Sequence, residues 1–240
     1  MDLFRIAIRL ATQPNRFGIR HEDKSNKFDW NEFKNLNSAN EMNEYAGDKL
    51  KKLGQGSSRA CYLLSGSKVL KIAISFRGRE NGAGTAQNRA EVDMYTNPQT
   101  KQICTKIFDT DHEFRWILSE LVRPINNNHE FESLAGVSMN LFGTLAQFIL
   151  ADGLSSKRAY DLFVEEFHFY RSEPITDQDK ESCKSAIKIL EKLKGFGLEY
   201  EDLVVLEHWG KSASGNLVLL DYGLTTGIYK EFYLEHGTGT

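Results

Sequence analysis

Leu53-Gly54-Gln55-Gly56-Ser57-Ser58-Arg59 opens the stretch that decides the fold, and Val69-Leu70-Lys71-Ile72-Ala73-Ile74 closes it. Between them lie the apolar run 61–64 and the turn tetrapeptide Ser65-Gly66-Ser67-Lys68, so the whole reads as a hairpin entered through a Gly- and Ser-rich turn. Two glycines let the backbone approach an anion closely, and free N–H groups with two hydroxyls can cradle phosphate. Strand alternation puts Leu70, Ile72 and Ile74 on one face and Val69, Lys71 and Ala73 on the other. The Lys71 ammonium thus leaves from a partly apolar face, where an unpaired charge is costly.

Working outward, residues 86–95 lack Gly and Pro and read as a helix. Its Glu91, in Ala90-Glu91-Val92, is placed to project toward the sheet and pair with Lys71. Two more apolar runs, 103–108 and 114–118, flank the turn Asp109-Thr110-Asp111-His112, and a connecting strand is expected at 117–123. One helix therefore interrupts a mostly antiparallel sheet. After Pro124 and Asn126-Asn127-Asn128 the period becomes helical. Phe131, Leu134, Leu141, Leu145 and Phe148 form one series, Tyr160, Phe163 and Phe167 a second, and Ile187, Leu190 and Leu193 a third. The third helix has Thr176 as N-cap, Asp179 three residues on, and Gly195 and Gly197 at its exit. Strands are expected again at 203–206 and 217–220, the second leading into Asp221-Tyr222-Gly223. A carboxylate at a strand exit followed by glycine can hold Mg2+ against phosphate oxygens. Each feature alone has a plain alternative: a simple turn, a snorkelling lysine, a solvated helix glutamate, an Asp-Tyr-Gly turn.

Composition bounds the class. The chain has 240 residues, 40% hydrophobic and 26% charged, which excludes disordered, collagenous and disulfide-scaffold classes. Thirty basic against 33 acidic residues leave a net charge of -3, so no broad basic field recruits nucleic acid or an anionic membrane. Arg77, Arg79 and Arg89 offer only a local patch. Three scattered cysteines fit a reducing compartment, and no apolar run approaches the roughly 18 residues of a membrane span. A cytoplasmic protein is the expectation. Residues 1–49 form a polar arm with Phe17, Phe28, Trp30 and Phe33 as anchors and one amphipathic turn at 4–10, read as a terminus that is mobile or docked on a partner.

Gly54-x-Gly56-Ser57-Ser58, Lys71, Glu91 and Asp221-Tyr222-Gly223 together resemble the protein-kinase-like signature of Gly-rich loop, strand lysine, helix glutamate and Asp-Phe-Gly. The segments 56–59, 69–73 and 86–91 also resemble small kinase-like proteins of bacteriophage and bacterial genomes. The resemblance covers residues of about 50 to 225. It implies an α+β, two-lobed protein-kinase-like fold: a polar arm at 1–49, a nucleotide-binding sheet lobe with one helix at 50–122, and a reduced helical lobe with catalytic and metal loops at 123–240. It implies ATP and Mg2+ as cofactors and transfer of a phosphoryl group to a hydroxyl of a protein or small molecule, with no membrane or nucleic-acid partner.

By the same resemblance Gly54, Gly56, Ser57 and Ser58 would cradle phosphate. Lys71 would contact the α- and β-phosphates, oriented by Glu91; Val69 would pack on adenine; Glu120 and Val122 would offer hinge backbone groups; Asp221 would hold Mg2+. The catalytic loop departs from the pattern. Counting back about thirteen from Asp221 reaches His208 in the place of the metal-binding Asn, and the carboxylate nearest the base position is Asp202. Two accounts stay open: an enzyme with Asp202 as base and His208 as second metal ligand, or a nucleotide-binding pseudokinase in which His208 stacks on Trp209 or bonds a backbone carbonyl. A third keeps the scaffold for interaction alone, with the arm docking a partner. Residues 224–240 are too few for the long activation segment of a peptide kinase, so a small-molecule phosphotransferase or minimal kinase-like protein is expected over a peptide kinase.

Overall fold

The computed structural model describes residues 27–74, 82–171 and 175–234. The 4–10 segment, Phe17, Arg77 and Arg79 lie outside them. The class is α+β. The described residues divide into two compact units: residues 27–74 and 82–89 with Lys106–Leu121, and Ala90–Thr105 with residues 122–234.

In the first unit, helices α1 (Trp30–Lys34) and α2 (Ala39–Lys49) precede strands β1 (Lys51–Gln55), β2 (Arg59–Ser65) and β3 (Lys68–Ala73). Helix α3 (Ala83–Thr96) follows, then β4 (Ile107–Thr110) and β5 (Trp116–Glu120). The strands make one antiparallel sheet in the order β1-β2-β3-β5-β4. Both short helices have capped starts. The Asp29 carboxylate accepts from Asn31 N–H at 2.7 Å, and the Ser38 hydroxyl accepts from Glu41 N–H at 3.2 Å, satisfying donors a helix start leaves open.

Residues 30–49, assigned by composition to the polar arm, carry Phe33, Met42 and Ala46, all fully buried in one core with Ala60, Tyr62, Leu70, Ile72, Trp116 and Leu118. The isolated aromatics are the reason: Phe33 sits 5.8 Å from the Trp116 ring, and Trp30 5.4 Å from it. Lys34 closes this cluster, its ammonium 5.3 Å from the Trp30 ring, 5.4 Å from Trp116, and 2.8 Å from Asp109 Oδ2. Burying each such side chain contributes about 1.5–3 kcal/mol, which anchors helices too short to stand alone.

In the second unit, β6 (Arg123–Pro124), β7 (Trp209–Lys211) and β8 (Leu217–Leu219) form a small antiparallel sheet in that order. Around it run α4 (Asn128–Ala135), α5 (Met139–Ala146) continuing as a wide turn over Gln147–Ala151, α6 (Ser156–Arg171), α7 (Asp177–Leu193), α8 (Tyr200–Leu203) and α9 (Thr226–Tyr229). Phe131, Phe142 and Trp209, all fully buried, meet edge-to-face with centroids 5.5–5.6 Å apart. The α7 capping box is present: Thr176 Oγ1 accepts from Asp179 N–H at 3.1 Å, and Asp179 Oδ2 accepts from Thr176 N–H at 3.0 Å. Among the described residues no single helix is long and apolar enough to cross a membrane.

Three local expectations change. The series from Phe131 to Phe148 is broken into α4 and α5 by Gly136 in the left-handed conformation (φ 70°), with Ser138 capping the second helix. The run 103–108 is divided: Ile107 and Phe108 join β4 of the first unit, whereas Cys104 belongs to the second unit and pairs in parallel with Leu219 of that same unit. The strand expected at 203–206 lies instead at Trp209–Lys211, with Leu203 ending α8. A four-residue apolar run cannot separate strand from helix; burial of Trp209 between Phe131 and Phe142 fixes the register here.

Candidate functional site

The candidate residues fall on both units, and each half is built by its own framework. In the sheet unit, Lys71 stands in the middle of β3, opposite Cys61 on β2 and Ile117 on β5, and is 8% exposed. Its position follows from alternation: Leu70 and Ile72 fill the aromatic core, so Val69, Lys71 and Ala73 take the other face. Val69, two residues before it on the same face of the strand, is also buried.

The Gly-rich turn joins β1 to β2, with Gly54 opposite Cys61 and Gln55 opposite Ala60. Gly56 N–H donates to Arg59 O at 2.9 Å, closing the turn. Ser57 is exposed, whereas Ser58 is 5% exposed and donates its hydroxyl hydrogen to Gln87 Oε1 on α3 at 2.9 Å. Ser58 O accepts from Ile74 N–H at 2.8 Å. At this same place α3 starts against the strands: a Cβ on Gly84 would meet Ser58 O and lie 2.7 Å from Ala73 Cβ. Gly56 and Ser58 are therefore bonded inside the unit, Gly54 is paired in the β1–β2 ladder, and Gln87 is the partner that sequence reading missed. At the unit's far end Glu120 N–H donates to Lys106 O at 2.8 Å and Leu121 N–H to Ser67 O at 2.9 Å. A cleft of about 450 Å³ borders the Gly84–Ala73 contact, lined by Ser38, Ala73, Gly84, Thr85, Glu113 and Arg115, and its lining contains none of the expected site residues.

In the helical unit Glu91 is 1% exposed, on the part of α3 that begins at Ala90. Val122 is 8% exposed just before β6. Asp202 lies in the single turn of α8 with its side chain about one-third exposed. Its carbonyl accepts a hydrogen bond from His208 Nδ1 at 2.8 Å. A carbonyl oxygen only accepts, so Nδ1 carries the hydrogen; in the neutral ring the lone pair then sits on Nε2. The neighbouring Trp209 indole N–H donates to Leu203 O at 2.7 Å, so the loop is tied down by consecutive side chains. His208 O in turn accepts from Leu220 N–H at 2.8 Å, which places Leu220, the residue before Asp221, across from His208. The 202–208 loop and the Asp221 turn thus share one end of the β7–β8 ladder. Among the described residues no group of three or more His, Cys, Asp or Glu side chains is arranged to hold a metal ion.

No protein-family model matches the chain, and no curated protein matches it. Among solved structures it is similar to the SAICAR synthase from Saccharomyces cerevisiae complexed with SAICAR, at 12% identity over 73% of this chain and 74% of that one, with a TM-score of 0.36.

Proposed function

We propose that the protein is an ATP-dependent phosphotransferase of protein-kinase-like fold, acting on a hydroxyl of a protein or a small molecule. The observation that carries this reading is an order of elements: a β1-β2-β3-β5-β4 sheet whose third strand bears buried Lys71, a helix between β3 and β4 bearing buried Glu91, and Asp221 at the exit of β8. In this reading residues 50–122 are the nucleotide-binding lobe and 123–240 carry the catalytic and metal loops. Lys71 contacts the polyphosphate and Glu91 orients it. Gly54 and Ser57 line the phosphate loop, which Gly56 and Ser58 brace from within. Val69, Glu120 and Val122 bound the adenine. Asp202 takes the proton of the acceptor hydroxyl.

A Mg2+ ion would supply charge neutralisation on the phosphates. Asp221 and His208 Nε2 suit a cation shared with a nucleotide better than a resident one, since Mg2+ is commonly held by one or two protein ligands with substrate phosphates and waters completing its shell. A nitrogen donor is unusual for so hard an ion. Together with the inward bonds of Gly56 and Ser58, that choice favours a second reading: a pseudokinase that binds nucleotide without transfer. Residues 1–49 as a partner-docking arm belong to either.

Calorimetry with ATP, with and without Mg2+, tests both readings; no binding in either condition overturns them together. If phosphoryl transfer to an acceptor or to the chain itself is found, Lys71→Ala is expected to abolish it, and unchanged turnover would refute the role of Lys71. Asp202→Asn separates the two: lost transfer with retained binding supports the enzyme, whereas wild-type binding with no transfer supports the pseudokinase.

A further inference from the structure

Residues 103–105 connect α3 to β4, and they run beside β8. Leu219 N–H donates to Ile103 O at 2.7 Å, and Thr105 N–H donates back to Leu219 O at 2.9 Å, with Cys104 opposite Leu219 in a parallel bridge. The Thr105 hydroxyl donates to the same Leu219 carbonyl. Beyond Asp221 the chain returns to this segment, where the Tyr222 hydroxyl donates to Thr105 O at 3.2 Å. Cys104, Thr105, Leu219 and Tyr222 are all buried. Asp221 is therefore bracketed: the residue two before it and the residue after it are both hydrogen-bonded to Thr105. An apolar ring at position 222 would fill the same space without reaching the carbonyl, so the hydroxyl adds direction to packing.

We propose that Thr105 and Tyr222 are positioning residues, a buried clamp that fixes Asp221 where it can hold a nucleotide-borne cation. This rests on the reading of Asp221 given above. Neither residue touches nucleotide; both act through the backbone on either side of the carboxylate. Burial makes the clamp effective, because a hydrogen bond broken inside the unit leaves its carbonyl without water to replace the lost donor. Cys104 sits at its centre. Burial pushes its thiol up to about 12, against the opposing effect of a Tyr222 hydrogen bond, and the Glu91 charge adds to the rise.

The test uses the full chain with Tyr222→Phe, Thr105→Val and the conservative Thr105→Ser. ATP affinity is measured by calorimetry in EDTA and in Mg2+, and Cys104 is followed by N-ethylmaleimide labelling with peptide mapping. The clamp predicts that Tyr222→Phe and Thr105→Val lose roughly tenfold of the Mg2+-dependent gain in affinity, leave affinity in EDTA unchanged, and label Cys104 several-fold faster; Thr105→Ser behaves as wild type. A wild type that binds Mg2+-ATP, with variants that keep the full gain, overturns the clamp and leaves the nucleotide reading standing. If the wild type binds no nucleotide, that reading fails and labelling alone decides the clamp: faster Cys104 modification supports it, and unchanged protection overturns it. Should Thr105→Val fail to fold, Tyr222→Phe, which only removes one oxygen, carries the comparison.

Discussion

Two loops were expected to carry the chemistry, and they are held by opposite means. The Gly- and Ser-rich turn at 54–58 is braced by short polar contacts and close backbone approach: Gly56 to Arg59, Ser58 to Gln87, and bare Gly84 against Ala73. The 202–208 loop hangs from one large apolar anchor, Trp209, packed among aromatic rings and reaching out through its indole N–H. A loop braced by its own polar atoms has fewer left for a ligand. The 202–208 loop also engages the Asp202, Leu203 and His208 carbonyls in its own bonds, and it keeps the Asp202 side chain about one-third exposed.

That contrast is breakable. Trp209→Ala should have the largest effect, about 3–5 kcal/mol lost in a denaturant titration, because it empties a fully buried site and frees the Leu203 carbonyl. Trp209→Phe should retain most of that stability; equal losses would mean that the ring is not the anchor. Gly84→Ala comes next. Its Cβ would crowd Ala73 and Ser58 O, at about 1–3 kcal/mol, outweighing a gain of roughly 1 kcal/mol in helix propensity. A stabilised Gly84→Ala protein would show that the α3 start is looser than its contacts.

The smallest effect is electrostatic and sits between the edge strand β6 and the start of α4. The Arg123 guanidinium hydrogen-bonds Glu130 and holds its carboxyl below the usual range, with the Lys211 charge assisting. A lowered folded pKa gives stability that is present above the unfolded value, about 4.3, and is lost as pH falls through the folded one. Arg123 is half exposed, so the contribution stays under about 1 kcal/mol. Glu130→Gln should therefore cost under about 1 kcal/mol near pH 7 and converge on the wild type as pH falls below about 4, flattening the profile there. A loss near 3 kcal/mol would place this pair beside Trp209 as an anchor.

Much of the sheet was legible because alternation is local: Leu70 and Ile72 against Lys71 needs only the period of a strand. The α7 cap was legible for the same reason, since Thr176 and Asp179 find each other within one turn. The β7 position was not. Val204 and Val205 have strand preferences, but Trp209 takes its place from Phe131 and Phe142, residues far away in sequence. The helices at 30–49 were hidden by composition, where a few aromatics among many polar residues were enough to join a core. Of the candidate residues, the strand that carries Lys71 and the helix that carries Glu91 could be read in advance, whereas the turns that carry Asp202 and His208 and the supports of the site could not. Gln87, Thr105 and Tyr222 matter through bonds to backbone or to partners that no spacing rule links.

The two most buried indoles differ in one respect. Trp209 Nε1 is hydrogen-bonded to a carbonyl, whereas Trp116 Nε1 is buried without a hydrogen-bond partner. An excited indole relaxes toward a polar acceptor and emits redder light when it has one. With half-buried Trp30, which lies beside Trp116, replaced by Phe, each unit carries its own fluorescent colour, bluer for the sheet around Trp116 and redder for the helices around Trp209. The loss of order in either can be watched separately in the unlabelled chain.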